Sequence, residues 1–351
     1  MPTGFSRPKI KLVDVLIDAR KLRDFGIGTY IQNLAEGLRE KAEMGFLCYP
    51  EDKGKLPGRC WTVRSRGYSL REQWEIWRTV RKIPHRIYHS PHYVFPILYR
   101  GNLIVTIHDI IHILFPQFFP RGASMYARAM ISRAATRAKY LITVSFRSAR
   151  DISSRFPAAE KKLRVIYNGL NPVFFQAPSR DRVDWARSFS PYILAVGNNK
   201  PHKRFPLLIK VFERIRKKFP GLKLLIAGWK GPVPEGVHTL GKIPLKDLAA
   251  LYAEAEVLVH PSLYEGFGFP PMEASCFGVP VITARVGAVD EILGEDAYYF
   301  EGEEELEVLL EEVLKHRDQA KERARRAKEK VRGLTWERSS AEHLEVYRSL
   351  P

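Results

Sequence analysis

The segment Val257-Leu258-Val259-His260-Pro261-Ser262-Leu263-Tyr264-Glu265-Gly266-Phe267-Gly268-Phe269-Pro270-Pro271-Met272-Glu273-Ala274 reads as a buried strand, a glycine-bearing loop and a helix that ends near Gly278. Gly266 and Gly268 let backbone N–H groups approach a ligand closely. Pro270 or Pro271 suits the first turn of a helix, whose N-terminus carries partial positive charge. The loop is therefore an expected seat for an anion at the carboxyl end of a parallel strand, where open α/β sheets bind ligands. Glu265, at the loop mouth, suits a pair of ligand hydroxyls. Glu273, read as lying in the first helical turn, suits a second pair, one for each carboxylate oxygen. Both carboxylates would also serve as simple helix caps.

On either side of this segment, strand-like runs alternate with helix-length amphipathic ones, the pattern of βαβ units. Strands are expected at 13–17, 86–89, 103–107, 140–144 and 164–167 in the first half, and at 192–196, 223–227 and 279–283 in the second. Residues 26–40 read as a glycine turn followed by a helix with Ile31, Leu34 and Leu38 on one face. Residues 124–139 read as a helix with Met130, Ile131 and Ala134 inward and Arg128, Arg133 and Arg137 outward. The polar run 178–190 has no strand signal and reads as the linker. The expected architecture is α/β, with two Rossmann-like domains. Residues 1–175 are expected to form the first domain and 176–335 the second, followed by a C-terminal segment over 336–351.

The chain has 351 residues, 45% of them hydrophobic and 27% charged, which excludes a disordered chain and favours two cores. Its apolar runs are far shorter than the roughly 20 residues of a spanning helix. Met1 to Lys11 lacks the apolar core of a secretory leader, which predicts a cytoplasmic protein. Cys48, Cys60 and Cys276 are odd in number and widely spaced, the pattern of free thiols. The net charge of +18 is one-sided: residues 1–175 hold 30 Lys and Arg against 13 Asp and Glu, and residues 176–351 hold 27 against 26. A basic first half predicts an anionic partner.

Further motifs lie in order along the chain: Gly26-Ile27-Gly28-Thr29-Tyr30, Thr106-Ile107-His108-Asp109, Val144-Ser145, Tyr167-Asn168-Gly169 and Pro201-His202-Lys203. Together with Glu265 and Glu273, two glutamates separated by seven residues, they make nearly the whole chain resemble family 4 of the retaining glycosyltransferases, enzymes of the GT-B fold, which implies that the two Rossmann-like domains face a central cleft and that a C-terminal helix over 336–351 returns to the first domain. The resemblance implies that Lys203 neutralises a donor diphosphate, Glu265 holds the sugar hydroxyls and Glu273 the ribose. It places His108 near the donor sugar and Asp109 near the acceptor. Gly28, Asn198, Arg204, Gly266, Phe267 and Gly268 complete the implied donor site. Asn198 stands where the family often has arginine, and Arg204 where asparagine is common, so the cation that assists Lys203 is left open.

No cofactor or metal is implied beyond a nucleotide-sugar donor, with GDP-mannose the first expectation and a UDP-sugar the second. A glycan or lipid-linked acceptor is expected, and the basic half suggests docking at the inner face of an anionic membrane. Arg64 to Arg86 and the 124–139 helix offer cations beside apolar groups, including Tyr68, Trp74 and Trp77. His108 and His112 share metal-like spacing, but 107–113 does not read as a helix, so a metal pair is not expected. His85, His89 and His92 surround a strand end, where loop or core roles are expected. The rivals are another GT-B chemistry, such as an epimerase or phosphorylase, and a basic nucleic-acid-binding protein. The second lacks any aromatic platform or nucleic-acid motif, and no nucleic-acid partner is expected.

Overall fold

A computed structural model of the chain describes residues 12–66 and 69–351. The leader reading of Met1 to Lys11 and the place of Tyr68 in the basic segment lie outside these residues. The first sheet has seven strands: β1 (Val13–Asp18), β2 (Met44–Cys48), β3 (Arg59–Thr62), β4 (His85–Ser90), β5 (Asn102–Thr106), β6 (Tyr140–Thr143) and β7 (Leu163–Val165). All its pairings are parallel, in the order β3-β2-β1-β4-β5-β6-β7. The second has six: β8 (Tyr192–Val196), β9 (Lys223–Ala227), β10 (Val237–Gly241), β11 (Val257–His260), β12 (Val281–Thr283) and β13 (Tyr298–Tyr299). They too are parallel, in the order β10-β9-β8-β11-β12-β13. Helices flank each sheet, so both are doubly wound and bury near-continuous apolar strands such as Ile193 to Ala195 and Val257 to Val259. The α/β expectation of two Rossmann-like sheets holds.

Several local readings are corrected. β2, β3, β10 and β13 carried no strand expectation, and three of the four, β3, β10 and β13, are edge strands of two to five residues. The first glycine motif is not a turn before a helix. The helix already runs over Phe25–Leu38, and the Gly28 N–H bonds to the Asp24 carbonyl. The expected linker 178–190 contains a helix, Arg180–Arg187. Its Arg182 and Arg187 pair with Asp247 (2.8 Å) and Glu254 (3.0 Å) on helix Leu245–Glu254.

The chain crosses back after the second sheet. Leu170 N–H donates to the Leu334 carbonyl at 2.8 Å, and helix Trp336–Arg348 then lies along Phe25–Leu38. A Cβ on Gly37 would stand 2.1 Å from Ser340 Oγ, so glycine is what permits that approach. The contact buries Trp336 and Tyr347 in the first sheet's core. It also joins a polar network in which Tyr30 Oη meets His343 Nε2 (2.6 Å) and Thr106 Oγ1 (2.9 Å). His89 bridges Thr106 (2.8 Å) and Tyr347 (2.7 Å) in the same network, so it has the expected core role.

Candidate active site

The carboxyl ends of the two sheets face each other across a cleft of about 320 Å³. β5 delivers His108 and Asp109 to one wall. β8 and β11 deliver Asn198, Lys203 and the Glu265 to Pro270 loop to the other. The walls touch: a Cβ on Gly266 would stand 2.3 Å from the His108 carbonyl oxygen, so only glycine lets the loop close on that strand end. Ser148 Oγ donates to the same carbonyl at 3.2 Å.

Lys203 and Glu265 form an ion pair in the cleft, and His260 Nε2 lies 3.2 Å from the same Glu265 oxygen. Burial alone would raise the Glu265 carboxyl. The Lys203 ammonium and His260 outweigh it and hold Glu265 well below the usual carboxylate range. His108 is kept neutral, its pKa pushed down to about 4 by burial. Its Nε2 lies 3.0 Å from the Pro91 carbonyl. A carbonyl only accepts, so the proton sits on Nε2 and Nδ1 is an acceptor. The Tyr30 ring meets His108 edge-on at 4.9 Å and fixes its plane. Burial raises Asp109 to about 6, although its Oδ1 accepts from Ile111 N–H at 3.0 Å. His112 is in the short helix Ile111–Leu114, which His108 precedes, so the two histidines do not share a helical face.

Gly268, at φ 94°, is the left-handed residue that opens helix Phe269–Cys276, and the start of that helix borders the cleft. Glu273 is not in the first turn of that helix. It lies one turn further in, where Tyr252 Oη donates to its Oε2 at 2.8 Å and burial pushes its carboxyl up to about 7. Phe267 borders the cleft. Arg204 does not: its Nε donates to the Pro261 carbonyl at 2.6 Å and its guanidinium lies over the Phe300 ring. Gly28 is also turned away, since a Cβ there would stand 2.2 Å from the Leu22 carbonyl oxygen. Its small size has a packing reason.

Sequence reasoning passed over His260, whose signal was its place at the end of β11, five residues before Glu265. It also missed Tyr252, which comes from a separate helix and carried no signal. Asn168 Oδ1, Asn198 Oδ1 and His202 Nδ1 are buried polar atoms of cleft-lining residues with no hydrogen-bond partner within the protein. Groups left in that state are costly unless a ligand completes them.

The second sheet's domain approaches the first through more than this loop. Glu291 accepts from Phe146 N–H (3.0 Å), Arg147 N–H (2.6 Å) and Tyr167 Oη (2.9 Å), and so caps helix Phe146–Arg155 from across the interface. Tyr264 Oη donates to Asp151 at 2.9 Å.

Residues 26–174 match the family model "Glycosyltransferase Family 4" and residues 181–331 the model "Glycosyl transferases group 1". The chain is 28% identical over 229 residues, 62% of its length and 61% of the relative's, to the O-antigen chain mannosyltransferase RfbU of Salmonella typhimurium. It is 33% identical over 179 residues, 48% of its length and 42% of the relative's, to the MMP alpha-(1->4)-mannosyltransferase of Mycolicibacterium hassiacum. The matches thus span less than two thirds of these relatives. The structure of HepE from Anabaena in complex with UDP-glucose superposes with a TM-score of 0.78 at 16% identity, over 96% of this chain and all of that one. With both halves matched in tandem and the two sheets arranged as they are, the chain belongs to glycosyltransferase family 4 and has its GT-B fold.

Proposed function

We propose that the protein moves a mannosyl unit from GDP-mannose to a glycan or lipid-linked acceptor with retention at the anomeric carbon. The observation that carries this reading is the Lys203–Glu265 ion pair facing His108 and Asp109 across the cleft. One of the three ammonium protons of Lys203 is used on Glu265, which leaves two for a donor diphosphate. The amides at Gly266 to Gly268 and the helix they open add positive potential where the leaving diphosphate would sit. Glu265, held ionised, accepts from sugar hydroxyls, and Glu273 accepts from the ribose. The neutral His108 offers Nδ1 to the sugar beside its own carbonyl.

In this reading the acceptor oxygen bonds to the anomeric carbon on the face the diphosphate leaves. The carbon–phosphate-oxygen bond breaks, and the departing oxygen takes the acceptor's proton. The protein's part is positioning and charge neutralisation. Asp109, with its raised pKa, contacts the acceptor. The names of the mannosyltransferase relatives support the sugar, and the UDP-glucose in HepE makes a UDP-sugar the second donor. Residues 1–175, 176–335 and 336–351 are assigned to the acceptor side, the donor side and the returning helix.

A membrane-facing acceptor is favoured by a groove of about 790 Å³ beside β3 and helix Leu70–Val80. Arg64, Arg71 and Lys82 line it, with Trp74 54% exposed and Leu70 nearby 88% exposed. No helix among the described residues is long and apolar enough to cross a membrane. We accordingly place the enzyme in the cytoplasm, peripheral on the inner membrane face. Arg133 is withdrawn from the docking set because its guanidinium donates to the Ile97 carbonyl at 2.7 Å.

Thermal shifts with GDP, UDP and ADP, followed by product analysis with the matching donors, test the reading. A new α-glycoside from GDP-mannose is expected. Stabilisation by UDP alone would move the donor to a UDP-sugar, and release of free epimer or sugar phosphate would overturn transfer.

A further inference from the structure

Next to the cleft, on the first sheet's side, is a separate polar crevice of about 70 Å³ lined by Asp18, Arg20, Tyr49, Glu72, Ser90 and His92. It lies at the carboxyl ends of β1, β2 and β4, and His92 is the residue that lines both it and the cleft. The mechanism above uses none of these side chains.

The floor is an unusual charge arrangement. Asp18 already satisfies Arg20, with Oδ1 on Nε at 2.8 Å and Oδ2 on the terminal nitrogen at 2.7 Å, and Tyr88 Oη also donates to Asp18. Glu72, only 3% exposed, adds a second carboxylate to the same guanidinium through Oε1. Its Oε2 is buried and has no partner. Two carboxylates share one guanidinium, and one oxygen is unpaired, an arrangement that is costly in the free protein. Local structure does not require it. Ser69 caps helix Leu70–Val80 through the Glu72 N–H at 3.1 Å, and Ser69-x-x-Glu72 has the spacing of a capping box. In a capping box the glutamate turns back to the cap residue, whereas this one turns to Arg20.

The third element is a donor. Burial, with Lys21, His108, His112 and Arg20 around it, keeps His92 neutral. Its Nδ1 accepts from Val94 N–H at 3.3 Å, so Nε2 carries the proton. The crevice thus combines an unfilled acceptor, Glu72 Oε2, with a donor at its border with the cleft. Hydroxyls both donate and accept and suit that pairing. A phosphate would face two carboxylates, and an ammonium would face Arg20 and Lys21, which also lines the crevice.

We propose that this crevice receives one hydroxyl edge of the acceptor sugar, with Glu72 Oε2 accepting and His92 Nε2–H donating. Its volume takes an edge and not a ring, so the rest of the sugar lies in the cleft towards Asp109. The inference rests on the proposed glycan acceptor and assigns Glu72 as a specificity-determining residue.

Saturation-transfer NMR with the methyl glycosides of mannose, glucose, galactose and N-acetylglucosamine tests it on the whole protein. At least one glycoside is expected to receive magnetisation. Glu72→Gln is expected to weaken its apparent affinity about tenfold, as loss of a charge-assisted hydrogen bond does, while the melting temperature stays level or rises because buried charge is removed. No signal from any of the four overturns the proposal. So does a Glu72→Gln protein that melts lower yet binds as wild type, since Glu72 would then be only a partner for Arg20. Should that variant fail to fold, Glu72→Asp decides: it keeps the charge but withdraws the oxygen, and unchanged affinity overturns the proposal. Thermal shifts with GDP and UDP report on the donor site separately. Nucleotide binding without glycoside binding sinks the crevice alone, and glycoside binding without nucleotide binding sinks the donor reading alone.

Discussion

Tyr252 Oη donates to Glu273 Oε2 at 2.8 Å, and burial nevertheless lifts the Glu273 carboxyl to about 7. If this carboxylate accepts from ribose, nucleotide binding selects its ionised form. Affinity for GDP should then weaken as pH falls through about 7, by up to about tenfold per pH unit below it. The ligand-free fold responds with the opposite sign. A raised carboxyl pKa favours the fold fully below the ordinary 4.5 and loses that contribution as pH rises through about 7. Glu273→Gln should flatten both profiles, as measured by calorimetry and thermal melts. An unchanged nucleotide profile would confine Glu273 to holding Tyr252.

Lys203→Ala should cost on the order of 3–4 kcal/mol in the transfer barrier, the usual loss for one preorganised charge-stabilising group. Because Lys203 and Glu265 touch, Lys203→Met and Glu265→Gln should be strongly non-additive, the double variant being little worse than either single one. Steady-state rates with the identified donor provide the check. A loss below tenfold in Lys203→Ala would hand the role to another cation.

Turnover should survive EDTA. The acidic side chains that line the cleft are already committed, Glu265 to Lys203 and Asp109 to the Ile111 N–H. Inactivation by chelation, with rescue by added Mn²⁺, would refute the mechanism proposed here.

Glu291→Ala should loosen the closed arrangement, since the one carboxylate takes three hydrogen bonds from across the interface. Small-angle scattering of the ligand-free variant is expected to show a larger radius of gyration, reversed by saturating donor. Identical scattering curves would mean that the loop contact between Gly266 and His108 holds the domains by itself.

Binding to anionic but not neutral liposomes is expected, fading with added salt as each cation's contribution of about 1 kcal/mol is screened. Charge reversal at Arg71 and Lys82 should weaken it, whereas reversal at Arg133 should act only through the Ile97 contact. Salt-insensitive partitioning, or none at low salt, would leave a soluble acceptor as the better reading.

The two sheets were legible because their inner strands are short apolar runs separated by helix-length segments, a pattern local enough to read from sequence. The missed strands β3, β10 and β13 are edge strands held by a neighbour on one side only, and β3 and β10 mix polar with apolar residues. Within the site, Glu265, Lys203 and His108, each picked out by a chain-local motif, converge on one cleft. What depended on a partner far along the chain was not legible. Nothing near Arg204 predicts that the Pro261 carbonyl claims its guanidinium. The Glu273 turn was misplaced because Pro270 and Pro271 fix where a helix starts only to within a residue or two.

Helix Trp336–Arg348 lies on Phe25–Leu38 and supplies Trp336 and Tyr347 to the first sheet's core, yet it is synthesised after the whole second sheet. A ribosome therefore delivers the two sheets in one order and completes their cores in the other. The second can close as soon as Val331 has emerged, while the first waits with Tyr30, His89 and Thr106 lacking His343 and Tyr347. During that interval the basic half is the one with an open core, so it is the half most exposed to chaperones.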